Sequence, residues 1–187
     1  MTSAHNPIVV FVQELLAGLD EATRARVEAS ALEQSVIEMG APLAIEDELQ
    51  LLLAAKYLAS ADGVSVPELA GLTRVMSRLG LPVAAQRQVI EFDVSTVRPE
   101  HIGELAPPRS RPALYLLSSV AVLAALDGLS EQERGRAREL GEHLGISPQL
   151  VDVILAEATL TADALRRKDS ATLALLRPLR RAIYRML

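Results

Sequence analysis

The 187-residue sequence contains no cysteine, and its aromatic content is only 3%. Without cysteine the chain can form neither disulfide bonds nor thiolate metal sites, which suits a reducing compartment. The scarcity of aromatic side chains argues against a surface for single-stranded nucleic acid, because such surfaces stack bases on aromatic rings. We therefore do not expect nucleic acid as a partner.

Sequence motifs that carry catalysis are also missing. There is no His-Glu-x-x-His motif, no glycine-rich phosphate loop and no candidate set of serine, histidine and aspartate. Helical bundles can host two-metal chemistry through Glu-x-x-His pairs on facing helices, but no such pair stands at the predicted core positions. The sequence therefore predicts a protein that is not an enzyme.

Long apolar runs and a basic N-terminal region are absent as well. The apolar runs at 8–16 and 113–126 are shorter than the about 20 residues that span a bilayer. No basic region precedes the first run, as it would in an export signal. We expect neither a signal peptide nor a membrane span, and therefore a cytoplasmic protein.

What the sequence does contain favours helices. Half of its residues are hydrophobic, mostly alanine, leucine and valine. Alanine and leucine are strong helix formers, and patterns typical of strands are nearly absent. The chain is long enough for one domain with a sizeable core. We predict an all-α, compact, single-domain helical bundle of about eight or nine helices.

One segment occurs twice in the sequence, at an offset of 65 residues and without a gap. Each copy is an apolar helix, an Asp-Gly turn and a second helix that starts with a Ser-x-x-Glu capping box, in which both side chains bind backbone N–H groups. Such repeats usually bury their apolar faces against each other. The matching residues are Asp62, Gly63, Ser65 and Glu68 in the first copy and Asp127, Gly128, Ser130 and Glu133 in the second.

The repeat divides the chain into parts of one domain. We predict two pseudo-symmetric three-helix repeats, the first at about 43–93 and the second at about 113–157. The segment 94–112 is rich in proline and is predicted to connect them. Within it His101 lies between Glu100 and Glu104, and we interpret it as a solvated loop histidine; the alternative is a metal ligand.

The repeated residues carry a resemblance to a known family. An apolar helix that ends in Ala-Asp-Gly-x-Ser-x-x-Glu and is followed by Leu-Gly-Leu resembles the signature of the TerB-like family, named for tellurite resistance protein B. The resemblance covers residues 45–156 and implies an all-helical bacterial cytoplasmic protein of stress resistance, with metal-binding acids near the turns. This chain differs at Val66 and Pro67, where an acid is frequent, and at Leu126, where a small residue is usual.

A divalent metal ion is the one cofactor that the sequence suggests. The turn also resembles half of an EF-hand, but the loop is one residue short, and Leu58 and Ser60 stand at its first ligand positions. A metal site therefore requires that the two turns come together; the alternative is that each aspartate only stabilises its own turn. The candidate ligands are Asp62, Glu68, Asp127 and Glu133.

The C-terminal segment 161–187 is predicted to be a basic amphipathic helix with a break near Asp169-Ser170. From 166 to 187 there are seven basic residues and one acid, although the whole chain has a net charge of −5. Such asymmetry is typical of a partner-binding tail. Its apolar stripe is Leu176, Leu179, Ile183 and Leu187, and its basic face is Arg177, Arg180, Arg181 and Arg185.

Two interpretations of this segment stay open. In the first, the leucines dock on the body, and the arginines face water or acidic side chains. In the second, the basic face binds a protein partner, with self-association and an anionic membrane surface as further alternatives. The second interpretation gives an interaction adaptor without metal as the alternative to a TerB-like binding or scaffold protein.

Overall fold

The computed structural model describes residues 6–39 and 42–186, and this part of the chain is helical without any strand. The prediction of an all-α bundle is confirmed. The described residues form ten α-helices, where about eight or nine were expected. The helices are α1 (Pro7–Ala17), α2 (Glu21–Met39), α3 (Ile45–Ala59), α4 (Val66–Arg78), α5 (Val83–Glu91), α6 (Pro99–Gly103), α7 (Arg111–Ala124), α8 (Glu131–His143), α9 (Pro148–Arg167) and α10 (Ser170–Ile183), with a 3-10 turn at Val94–Thr96 between α5 and α6.

Helices α3 and α7 form the centre of the molecule and pack against each other. The run 51–59 of α3 is buried on every side, as is 113–118 of α7. Leu53 and Leu117 are completely buried, and burying one leucine contributes about 1.5–3 kcal/mol. Helices α1 and α2 cover α3, and α9 covers α7. In the described ranges, none of these helices has both the length and the apolar character needed to cross a membrane.

The two Asp-Gly turns have nearly the same backbone. Gly63 and Gly128 have φ angles of 105° and 108°, which other residues adopt only with strain. The predicted capping boxes are confirmed at both helix starts. Helices α4 and α8 begin and end 65 residues apart. Local geometry therefore follows the sequence repeat at these turns.

The helices that follow α4 and α8 differ in length. Helix α5 has 9 residues, whereas α9 has 20 and continues to Arg167. The boundary expected at about 157 to 161 is therefore absent, because buried Ala158 and Ala162 extend the apolar face of α9. The predicted break near Asp169 is present. Lys168 takes a left-handed conformation with φ 55°, and Asp169 caps α10 by accepting the N–H of Thr172 at 3.0 Å.

A charged residue, Lys56, lies in the interior of the molecule. Lys56, in the apolar run of α3, donates from Nζ to the carbonyl oxygens of Val89, Ile90 and Phe92, with 2.6 Å to the last. It thereby binds the C-terminal carbonyls of α5, which lack helical partners. Burial lowers the pKa of Lys56, and the charge of Asp93 partly offsets this effect.

The prediction that His101 is a solvated loop histidine is wrong, because its side chain is buried. Its Nδ1 accepts the backbone N–H of Arg98 at 3.2 Å, and its carbonyl oxygen accepts from Asn6 Nδ2 at 2.7 Å. Burial follows from the close contact of α6 with α8. A Cβ built at Gly103 would lie 3.0 Å from the Cβ of His143.

Candidate carboxylate site at the two Asp-Gly turns

Glu68 of α4 and Glu133 of α8, here called the glutamate pair, are both buried, with 2% of each residue exposed. One oxygen of each side chain is held by its own capping box. Oε2 of Glu68 accepts the N–H of Ser65 at 2.7 Å, and Oε2 of Glu133 accepts the N–H of Ser130 at 2.8 Å. The caps therefore fix both carboxyl groups at the starts of their helices.

The second oxygens of the glutamate pair have no such bond. Oε1 of Glu68 and Oε1 of Glu133 are buried without a hydrogen-bond partner among the described residues. The two carboxyl groups lie near enough for each to influence the pKa of the other. Ionised carboxylates only accept hydrogen bonds, so a hydrogen bond between them would require that one of them carries a proton. The geometry therefore favours a shared proton, or another cation, between the two units.

The raised pKa values of the glutamate pair also favour a proton on one of the two side chains. Burial is the main cause that raises the pKa of Glu68 to about 7, and the charges of Asp127 and Glu133 add to it. Burial also raises the pKa of Glu133, to which the charge of Asp62 contributes. The charge of each aspartate therefore reaches the glutamate of the other unit.

The four acids do not form a ready-made metal site. Asp62 and Asp127 are exposed, and within 6–39 and 42–186 no group of three or more histidine, aspartate or glutamate side chains could hold a metal ion. Hard cations such as Mg²⁺ and Ca²⁺ take about six to eight oxygens, whereas the glutamate pair offers one unpartnered oxygen from each side chain. Carboxylate oxygens are suitable ligands for such cations. The arrangement of these acids, however, suits a shared proton better than a bound metal ion.

The predicted basic face of α10 divides into exposed and buried members. Arg177, Arg181 and Arg185 are exposed, and Arg181 Nη2 donates to the carbonyl oxygen of Ile37 at 2.9 Å. Arg180 instead faces the body, with only 18% of its side chain exposed. Arg180 therefore does not belong to the solvent-facing basic surface.

Glu157 of α9 is the partner of Arg180, and sequence reasoning overlooked it. Its Oε1 accepts from Arg180 Nη2 at 2.9 Å and Nε at 3.1 Å, and from Thr161 Oγ1 at 2.7 Å. Glu157 is 2% exposed. A signal did exist in the sequence, because Glu157 and Thr161 share helical spacing with apolar Ile154 and Ala158.

The apolar stripe of α10 is only partly buried. Leu176 and Ile183 are buried with the adjacent Tyr184, whereas Leu179 is 46% exposed. Leu187, predicted to extend this stripe, lies outside the described residues. The helix thus docks on the body through part of its stripe and leaves the other part accessible.

Comparisons of the chain with protein-family models, curated proteins and solved structures found no match.

Proposed function

We propose that the protein is a non-enzymatic binding or scaffold protein of the TerB-like type, acting in the bacterial cytoplasm in stress or tellurite resistance. The observation that carries this proposal is the glutamate pair, since it joins the two Asp-Gly turns on which the resemblance rests. Two buried acids with one unpartnered oxygen each are costly for the fold unless a cation neutralises them. Such a pair favours a binding role.

We further propose that the two units are related by approximate two-fold symmetry. Three observations support this relation. Helices α4 and α8 begin and end 65 residues apart, and both start with a capping box. The glycines of the two turns have matching backbone conformations. It explains why each glutamate lies near the aspartate of the opposite turn. The third helices break the symmetry, because α9 is much longer than α5.

The proposed ligand of the pair is a weakly bound divalent cation, which competes with the shared proton. Glu68 and Glu133 would hold it, with Asp62 and Asp127 adding negative charge nearby. Because the cation displaces a proton, its affinity should increase as pH rises above the pKa of Glu68.

Calorimetric titration of Mg²⁺, Ca²⁺, Mn²⁺ and Zn²⁺ into the protein at pH 6 and pH 8 tests the cation proposal. We expect saturable binding at pH 8, weaker binding at pH 6 and its loss in the Glu68→Gln/Glu133→Gln variant. The Asp62→Asn/Asp127→Asn variant should bind several times more weakly, because it loses only nearby charge. Glu131→Gln, at an exposed acid on α8, is the matched control and should bind as wild type does.

Two results would remove the cation from the proposal. One is the absence of saturable binding at pH 8, which leaves the shared proton as the occupant. The other is binding that the double glutamine variant retains, which places the cation elsewhere.

The alternative function is an interaction adaptor that works without metal, and an exposed apolar surface favours it. Leu175 and Leu179 of α10 are 77% and 46% exposed, and Leu32, Val36 and Ile37 of α2 are also exposed. The contact of Arg181 with Ile37 joins the two helices. The neighbouring arginines complement an acidic surface, which another copy of this acidic chain supplies.

Sedimentation velocity over a range of protein and salt concentrations tests the adaptor as a self-associating protein. We expect dimers at low salt, dissociation at high salt because charges are screened, and a monomer for Leu175→Ser/Leu179→Ser. Val83→Ser, at a 73% exposed apolar residue of α5, should leave the dimer intact. A wild type that stays monomeric at every concentration contradicts self-association through this surface.

A further inference from the structure

A cavity of about 330 Å³ opens beside the central helices, and neither glutamate of the pair lines it. Helices α3 and α7 contribute one part of its lining, and α4, α9 and α10 contribute most of the rest, together with Gln34 of α2. The surface of the cavity is mainly apolar. Representative residues are Leu52, Val75, Val122, Leu123, Leu165 and Leu173.

Gly71 lines the cavity and lets α4 pack closely against Leu126. A Cβ built at Gly71 would lie 2.3 Å from Leu126 Cδ1. The residue 65 positions later is Arg136, whose guanidinium lies 4.7 Å from the centre of the Tyr57 ring and donates to Tyr57 O at 2.7 Å. Arg136 thus covers α3 at Tyr57, whereas Val122, the residue at the matching position of α7, lines the cavity.

The segments that follow α4 and α8 also differ in how they continue. After α5 the connector forms α6, which packs on α8. Helix α9 instead continues to Arg167, and its Thr161 and Leu165 line the cavity. This part of α9 has no counterpart in the shorter α5.

The charges that line the cavity are mainly positive. Four arginines and one glutamate line the cavity, in a chain whose net charge is −5. Glu48 accepts from the Tyr115 hydroxyl at 3.5 Å, and Arg180 is bound to Glu157. Arg74 and Arg177 are exposed and form no ion pair with any residue of the described ranges. The guanidinium groups of Arg74 and Arg177 are therefore available to bind an anion at this apolar cavity.

We propose that this cavity binds a single-chain aliphatic anion of the free fatty-acid class, with its tail among the leucines and its head group at Arg74 and Arg177. The volume lies at the lower end of the roughly 300–1,000 Å³ of small-molecule sites. A cube of that volume is about 7 Å wide, too narrow for a peptide helix about 10–12 Å across. Apolar walls with cations at the edge match a hydrocarbon chain that ends in a carboxylate.

Calorimetric titration of decanoate, kept below its micelle-forming concentration, tests this site, with decyltrimethylammonium as the ligand of opposite charge. We expect saturable one-to-one binding of decanoate and at least tenfold weaker binding of the cation. The Arg74→Glu/Arg177→Glu variant should lose at least tenfold in decanoate affinity. Ser119→Leu, which fills the cavity from α7, should abolish binding.

Two controls keep the test specific. Arg87→Glu, at an exposed arginine of α5 outside the cavity, should bind decanoate as wild type does. Glu68→Gln should also bind it normally, so that failure of the cation site and failure of this cavity are distinguishable. No saturable binding, equal binding of both decyl ligands, or binding unchanged in Ser119→Leu would each overturn the proposal.

Discussion

Arg180→Ala is expected to destabilise the protein by about 3–5 kcal/mol, because it leaves a buried carboxylate without its cation. Glu157 is 2% exposed, and its Oε1 receives both hydrogen bonds from the guanidinium. Its Oε2 already lacks a partner among the described residues. Loss of the arginine would leave Thr161 as the one remaining hydrogen-bond donor to this buried carboxylate.

Urea unfolding followed by far-ultraviolet circular dichroism measures this loss, and Arg177→Ala is the matched control. Arg177 lies on the same helix but is exposed, so its replacement should change the free energy of unfolding by no more than about 0.5 kcal/mol. The double variant Arg180→Met/Glu157→Met should recover most of the loss, because apolar residues of similar size replace buried ion pairs well. Equal effects of the two single variants would show that Arg180 does not anchor α10.

Glu68→Gln is expected to make the protein more stable than wild type above pH 7. The pKa of Glu68 is raised in the fold from 4.5 to about 7, first of all by burial. The folded state therefore holds the proton more tightly than the unfolded state does. The resulting stability is fully present below about pH 4.5 and is lost as pH rises through about 7. Since one pKa unit corresponds to about 1.4 kcal/mol, the loss amounts to a few kcal/mol.

Glutamine reproduces the protonated form of this side chain at every pH. Its carbonyl oxygen can accept the N–H of Ser65, and its amide can donate to the unpartnered oxygen of Glu133. Unfolding free energies from pH 4.5 to 8.5, measured with a chelator present, should decline for wild type and change less for the variant. Glu131→Gln removes an exposed acid, with 91% of its side chain accessible, and should follow wild type. Parallel pH profiles for Glu68→Gln and wild type would contradict the shared proton.

The sequence by itself determined the local structure at the Asp-Gly turns. Capping boxes at Ser65 and Ser130 depend on residues three positions apart, and the turns at Gly63 and Gly128 depend on one backbone conformation. Helix α3 was predictable as buried because nearly all of its second half is aliphatic. These features involve residues that are close together in the sequence, so the covalent chain keeps them close together in space.

Only the tertiary structure decided which distant residues meet. Glu157 and Arg180 are 23 residues apart and pair because α10 folds back on α9. His101 looked like a loop residue, yet the packing of α6 on α8 buries it. The four candidate acids come from the sequence repeat, but the burial of Glu68 and Glu133 and the exposure of Asp62 and Asp127 arise from the packing of the helices. Burial and charge proximity depend on where helices cross, and short-range spacing rules contain no information on those distances.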